Sequence, residues 1–244
     1  LDTDLPDILS RSDCEEELRS RWQALIDRAG NLMRTFAEQT GATLGTTLSA
    51  LLLWQNRGFI ANIGDTRVYE IGKTVQILTR DHTFVREEID AGRMTPEQAA
   101  CSGKEHILTR CVGVREDANA DFYRITGKKK TLYLLCSDGF RHKISPEEMH
   151  EQLSGKTTAA ALEEAVRTLL LRCRERGEKD DISVVTVLAN RTSKGFLSRL
   201  FGKEAPAIDA SGIQTVEKIV FTDSENILHQ DPDDNPLPEY TAVP

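Results

Sequence analysis

Three aspartates stand at the ends of apolar runs. Asp65 follows Ile60-Ala61-Asn62-Ile63-Gly64 and leads into Thr66-Arg67. Asp138 follows the run Leu132 to Cys136 and opens Asp138-Gly139, and Asp180, with Asp181, directly precedes Ile182 to Leu188. If those runs are strands, each delivers a carboxylate to one of its ends. Hard divalent cations such as Mg2+ and Mn2+ take oxygen ligands in octahedral geometry, usually a few carboxylates plus waters. Carboxylates crowded in a cleft repel one another unless a cation neutralises them. Such a site lowers the pKa of bound water and clamps a phosphoryl group for in-line attack. Taken singly, each aspartate has a plainer explanation, since Asp-Gly is a common turn dipeptide and an Asp beside a strand often only caps a turn.

The other polar candidates carry less. His82, in Arg80-Asp81-His82-Thr83, has the chemistry of an acid or base, but a lone His near a helix start is more often a structural hydrogen-bonder. His106, His142 and His150 show no ligand-like spacing. The Gly- and Thr-rich segment Gly41 to Thr47 lacks the Gly-Lys-Ser/Thr ending of a nucleotide-binding loop. Neither a Gly-x-Ser-x-Gly elbow nor a His-Glu-x-x-His helix occurs. The five cysteines are an odd number without a CxxC pair, which reads as reduced thiols in a reducing compartment.

The elements that must position these groups follow from periodicity. Residues 11 to 39 read as a helix, with Leu18, Trp22, Leu25, Ile26, Ala29, Leu32, Met33 and Phe36 forming a core-facing stripe. Short apolar segments come next, at Thr43 to Trp54, Phe59 to Ile63, Arg67 to Ile71 and Val75 to Thr79, punctuated by Gly, Asn and Asp as in an antiparallel meander. A helical insert begins near Asp81 and closes at Gly92, and Thr95-Pro96-Glu97-Gln98 starts another helix. Strands resume at Asp121 to Thr126 and Thr131 to Cys136, joined by a basic turn at Gly127 to Lys130. Helices follow from Ser145 to Leu153 and Thr157 to Arg174, then a strand at Ile182 to Leu188. Strands, then helices, then a strand argue for an α+β fold with mostly antiparallel sheets.

Composition excludes several classes. The chain of 244 residues has 31 Lys and Arg against 39 Asp and Glu, a formal net charge of -8. Nucleic-acid binding needs a basic face, so no nucleic-acid partner is expected. No apolar run approaches the ~18 to 20 residues of a bilayer span, and no signal peptide is visible. The first residue is Leu1, not Met, which reads as a processed chain or a fragment. Beyond Asn190 the sequence reads as an acidic, Pro-containing tail or linker. Within it, Gly195 to Gly202 between Lys194 and Lys203 suits a linker segment or a docking patch, Ile213 to Phe221 suits a strand, and Asp231 to Pro236 reads as disordered.

In order along the chain, these pieces resemble the metal-dependent serine/threonine protein phosphatases of the type 2C class (PPM family), most closely the small bacterial members. The motifs are Gly45-Thr46-Thr47, Ala61-Asn62-Ile63-Gly64-Asp65-Thr66-Arg67 and Leu78-Thr79-Arg80-Asp81-His82. They continue with Ile107-Leu108-Thr109-Arg110-Cys111-Val112-Gly113, Leu135-Cys136-Ser137-Asp138-Gly139-Phe140 and Gly177-Glu178-Lys179-Asp180-Asp181-Ile182-Ser183. The match spans about residues 41 to 189. The resemblance implies a four-layer α-β-β-α sandwich of two antiparallel sheets flanked by helices, over residues 1–190, with residues 83–105 as a flap beside the cleft and 191–244 as the tail. It implies a two-metal centre using Mn2+ or Mg2+, with Asp138 and Asp180 as ligands of the first metal and Asp65 as a ligand of a weaker third. A metal-bridging hydroxide would attack phosphorus directly, so Cys136, although beside a ligand, is not a nucleophile.

The same resemblance implies phosphorylated proteins as substrates, a cognate serine/threonine kinase, a cytoplasmic location and a monomer. Two departures bear on it. Asp181 stands where the family has Asn, and nothing in Leu1 to Asp13 matches the family's opening phosphate-gripping Arg, early acidic ligand and Asp-Gly-Met-Gly-Gly motif. Either the native start lies upstream, or the chain is a non-catalytic pseudophosphatase serving as a binding module. Residues 1–244 by themselves are accordingly expected to show little Mn2+-dependent hydrolysis. A metal-binding domain of another hydrolase class is a third, weaker alternative.

Overall fold

The computed structural model describes residues 5–11, 13–54, 56–116, 118–126, 131–191 and 213–223. The expected turn at 127–130, the segment 195–202 and the stretch 231–236 lie outside the described residues.

The chain opens with two helices, α1 (Leu5–Ser10) and α2 (Cys14–Thr40). The sequence predicts a single helix over 11–39, so α1 and the break before Cys14 are additions. Glu15, Glu16 and Glu17 crowd the first turn of α2, where acidic groups favour the helix dipole, and Gly41 ends it at φ 67 in the left-handed region. The predicted single stripe on α2 is corrected by the packing. Leu18 and Ile26 are buried, but Leu25, Leu32 and Phe36 are 56%, 65% and 55% exposed. The physical reason is width: those three, spaced seven and four apart, run beside the contact seam and not along it.

Two antiparallel sheets follow. The first has the order β1-β2-β5, made of β1 (Leu48–Trp54), β2 (Arg57–Ile63) and β5 (Asp121–Thr126). The second has the order β4-β3-β6-β7-β8, made of β3 (Arg67–Ile71), β4 (Val75–Ile77), β6 (Thr131–Cys136), β7 (Ile182–Arg191) and β8 (Ile213–Asp223). Between β4 and β5 sit α3 (Phe84–Asp90) and α4 (Pro96–Ala100), the two helices expected in the flap. After β6 come α5 (Asp138–Arg141), α6 (Pro146–Leu153) and α7 (Ala159–Glu175). Capping boxes at Thr95 with Gln98 and at Ser145 with Glu148 start α4 and α6, with Pro at the first helical position of each.

Side-chain alternation shows how the layers stack. On β2, Phe59 packs with Ile8, Leu9 and Leu18, and Ile63 with Ile26 and Val112, while Ile60 and Asn62 on the opposite face are also fully buried. On β6, Leu132, Leu134 and Cys136 pack with Phe140, Leu162, Val166 and Leu169, while Tyr133 on the other face is equally buried. Both central strands are thus covered twice, by helices outside and by sheet inside, which is the four-layer α-β-β-α arrangement. Each buried leucine of the α7 face contributes about 1.5 to 3 kcal/mol.

The expected strand at 213–221 forms as β8 and pairs antiparallel with β7 from Ile182↔Asp223 to Arg191↔Ile213. The second sheet therefore draws an edge strand from beyond residue 190, within the stretch read as a tail. No helix among the described residues is long and apolar enough to cross a membrane.

Candidate metal centre

Register brings the three aspartates to one end of the second sheet. Arg67, at the start of β3, is opposite Cys136 at the end of β6, and Cys136 is opposite Val184 near the start of β7. Asp65 enters β3, Asp138 leaves β6 and Asp180 enters β7, so antiparallel pairing puts all three at the same edge. The β6–β7 junction is stitched by Ser137. Its N–H donates to Ser183 O at 3.0 Å, its hydroxyl donates to Asp181 O at 3.2 Å, and it accepts from Ser183 N at 3.0 Å. Gly139 lets the two segments close: a Cβ there would lie 3.0 Å from Asp181 O and 3.5 Å from Asp180 Cβ. The Asp138 and Asp180 carboxylates each spend one oxygen on the next backbone N–H, Gly139 N at 2.9 Å and Asp181 N at 2.8 Å. The other oxygens and an oxygen-rich edge suit a hard divalent ion.

Asp65 is differently placed. Gly64, at φ 100, turns the chain out of β2, and its backbone approaches Thr47 so closely that a Cβ would sit 2.3 Å from Thr47 Cγ2. That turn buries Asp65, whose Oδ2 accepts from Arg141 Nη2 at 2.9 Å. Burial pushes the Asp65 carboxyl up, Arg141 opposes this, and Asp138 and Asp81 add to it. A carboxylate raised in part by neighbouring carboxylates is in the electrostatic situation that a cation relieves. The sequence gives no hint of Arg141 as its partner, because the two residues are 76 positions apart.

Around this edge lies a buried ionic network. Arg67 forks onto Asp81, with Nε to Oδ1 at 2.8 Å and Nη2 to Oδ2 at 2.6 Å. Burial would lower the Arg67 guanidinium, but its pairing with Asp81 more than offsets that and holds it above its ordinary value. His82 is the structural hydrogen-bonder its position suggested. Its Nδ1 accepts from Gly64 N at 3.1 Å and its Nε2 meets Asp121 Oδ2 at 3.0 Å, so the ring braces the turn that carries Asp65. Burial lowers its pKa, which keeps the ring neutral with the proton on Nε2. Cys136, on the helix side of β6, is fully enclosed and burial pushes its thiol up to about 12, far from a nucleophilic thiolate. All five cysteines are free.

One grouping departs from the sequence reading. His106, Asp138 and His142 each offer one ligand atom within 4.8 Å of the others, and among the described residues this is the group of three His, Cys, Asp or Glu side chains that does so. The sequence reading denies His106 and His142 a ligand-like spacing. The usable signal was Asp138-x-x-x-His142, which becomes a pair on one face only once residues 138–141 are known to be helical. Asp65 and Asp180 stand outside that group.

No family model matches the chain. A serine/threonine phosphatase of Listeria innocua is 31% identical over 183 residues, covering 74% of this chain and 71% of that protein. Against the phosphatases of Listeria monocytogenes and Streptococcus pneumoniae the chain spans about 60% of their length. Among solved structures, the S. agalactiae serine/threonine phosphatase has the same fold, with a TM-score of 0.65 at 23% identity over 75% of this chain and 76% of that one. The catalytic domain of the phosphatase PstP in complex with 2 manganese ions superposes with a TM-score of 0.55 at 28% identity, covering 64% of each chain. With its two antiparallel sheets, its aspartates at one sheet end and this similarity over most of its length, the chain belongs to the bacterial serine/threonine protein phosphatases of the type 2C (PPM) class.

Proposed function

We propose that this chain carries a metal-dependent phosphatase activity toward phosphoserine and phosphothreonine in proteins, with Mn2+ or Mg2+ as its ion. The observation that carries the proposal is the closure of β6 onto β7, which brings Gly139, the neighbour of Asp138, against Asp180 and Asp181 in a member of a phosphatase family. In this reading Asp138 and Asp180 hold the first ion, and Asp65 is a ligand of a weaker further one. A bound divalent ion supplies Lewis-acid polarisation of phosphoryl oxygens and offsets the charge of an in-line displacement. The protein groups fix that geometry: Ser137 locks the two strands, His82 and Gly64 hold the Asp65 turn, and the Arg67–Asp81 pair stiffens the wall. In the same reading α3 and α4 belong to a flap over residues 83–105 beside the cleft, and the proposed physiological counterpart is a serine/threonine kinase in the cytoplasm. The proposed catalytic domain runs through residue 190 as a monomer, with β8 added at its edge.

A second reading is favoured by the Asp65–Arg141 ion pair, in which a guanidinium already neutralises an aspartate meant for a cation. On that reading the chain is a non-catalytic binding module. Phosphate release from a phosphothreonine peptide by the complete gene product under Mn2+ separates the two. Mn2+-dependent release that disappears in Asp138→Ala supports the enzyme. Peptide binding without release supports the module.

A further inference from the structure

Two imidazoles flank the carboxylate of Asp138. α5 is a single turn, and the bond from His142 N to Asp138 O at 3.0 Å carries it one residue further, so side chains 138 and 142 share a face. His106 arrives from the segment after α4, one residue beyond the flap of 83–105. It is held there by Phe84 N donating to Ile107 O at 2.8 Å, by Ile107 N donating to Lys104 O at 3.2 Å and by the Thr83–Leu108 bridge. One ligand atom of each of His106, Asp138 and His142 lies within 4.8 Å of the others, and the two rings meet edge to face with centroids 5.0 Å apart.

Two imidazoles and one carboxylate are not the donor set of a hard ion, which prefers oxygen throughout. They are the set that borderline ions choose: Zn2+ is commonly bound by two His and one carboxylate, with a fourth position left for water. A ring nitrogen sits about 2.0 to 2.1 Å from such an ion and a carboxylate oxygen about 2.0 to 2.2 Å. Three donors around one tetrahedral ion are then about 3.5 Å apart, a spacing that rotamer adjustment of two exposed His side chains can reach.

We propose that His106, Asp138 and His142 form a binding site for a Zn2+-type ion, which pins the end of the flap to α5. Because Asp138 is also proposed as a ligand of the hard-ion centre, Zn2+ and Mn2+ compete for its carboxylate. The binding of Zn2+ stands independently of the phosphatase reading; the competition with Mn2+ rests on it.

The test is calorimetric titration of the chain with Zn2+ alone. Wild type is expected to bind one ion, with affinity falling tenfold or more in His106→Ala and again in His142→Ala, while His150→Ala, outside the cluster, leaves the titration unchanged. Indistinguishable titrations for wild type, His106→Ala and His142→Ala overturn the site, as does an equal loss in His150→Ala. Melting curves without metal, expected to coincide for all four proteins, separate loss of ligands from loss of fold. In a second arm, Mn2+ bound to the chain is followed by its paramagnetic signal. Zn2+ is expected to displace it from wild type at concentrations tenfold lower than from His142→Ala. Zn2+ binding without displacement of Mn2+ overturns the shared carboxylate. Absence of phosphate release by the complete gene product overturns the phosphatase reading and leaves the Zn2+ titration as it was.

Discussion

Arg141 Nη2 reaches Asp65 Oδ2 at 2.9 Å and stands 3.9 Å from Asp81 Oδ2, so one guanidinium from the turn after β6 ties together two aspartates that precede and follow β3. All three side chains are nearly buried, at 9% to 11% exposure. Removing one partner of a buried pair leaves an uncompensated charge, at a cost of about 3 kcal/mol. Arg141→Ala is therefore expected to lose about that much stability without divalent ions and to recover part of it when Mn2+ is added. Thermal unfolding with and without Mn2+ measures this, and an equal loss in both conditions contradicts the idea that Asp65 can take a cation.

Gly64 is required by both its dihedral angle and its neighbour. At φ 100 an L side chain is strained, and its Cβ would overlap Thr47. Gly64→Ala is expected to cost about 2 kcal/mol or more. It also displaces the donor that His82 Nδ1 accepts, so the loss should be partly shared with His82 variants. A double-mutant cycle with His82→Ala in chemical denaturation reads that sharing, and strict additivity would argue against a common turn.

His82 predicts a pH dependence with a defined sign. Its folded pKa is lowered, chiefly by burial, so the folded state disfavours the proton. The stability this neutral ring contributes is complete above the unfolded value near 6.5 and is lost as pH falls below it toward the folded pKa. His82→Ala gives up the bonds to Gly64 and Asp121, at about 2 kcal/mol, and should flatten the fall in stability over the interval just below pH 6.5. Wild type and variant melting at parallel temperatures across that interval would count against the assignment.

Asp138 and Asp180 are expected to be needed for chemistry and dispensable for folding. In the complete gene product, Asp138→Ala or Asp180→Ala should reduce Mn2+-dependent turnover by about 100-fold or more, since metal-borne charge stabilisation amounts to several kcal/mol. Among the described residues both side chains bond only to the adjacent backbone N–H, so unfolding in metal-free buffer should scarcely change. Near-normal turnover in either variant refutes the ligand assignment.

Much of the architecture was legible in the chain itself. Short apolar segments punctuated by Gly, Asn and Asp marked the strands, proline after Ser145 and Thr95 marked two helix starts, and an aspartate beside an apolar run marked three strand ends. Those signals are local, and local physics writes them directly into residue order. What only the folded chain decided is long-range. Antiparallel register chose which strand ends meet, and so which carboxylates become neighbours. The lone α2 stripe divided because only one of its seams met a sheet. Arg141 became the partner of Asp65, and His106 that of Asp138 and His142, through contacts across 76 and about 30 positions that no spacing rule encodes. Side-chain partnership across a fold depends on how layers stack, and stacking is a property of the assembled core, not of any segment within it.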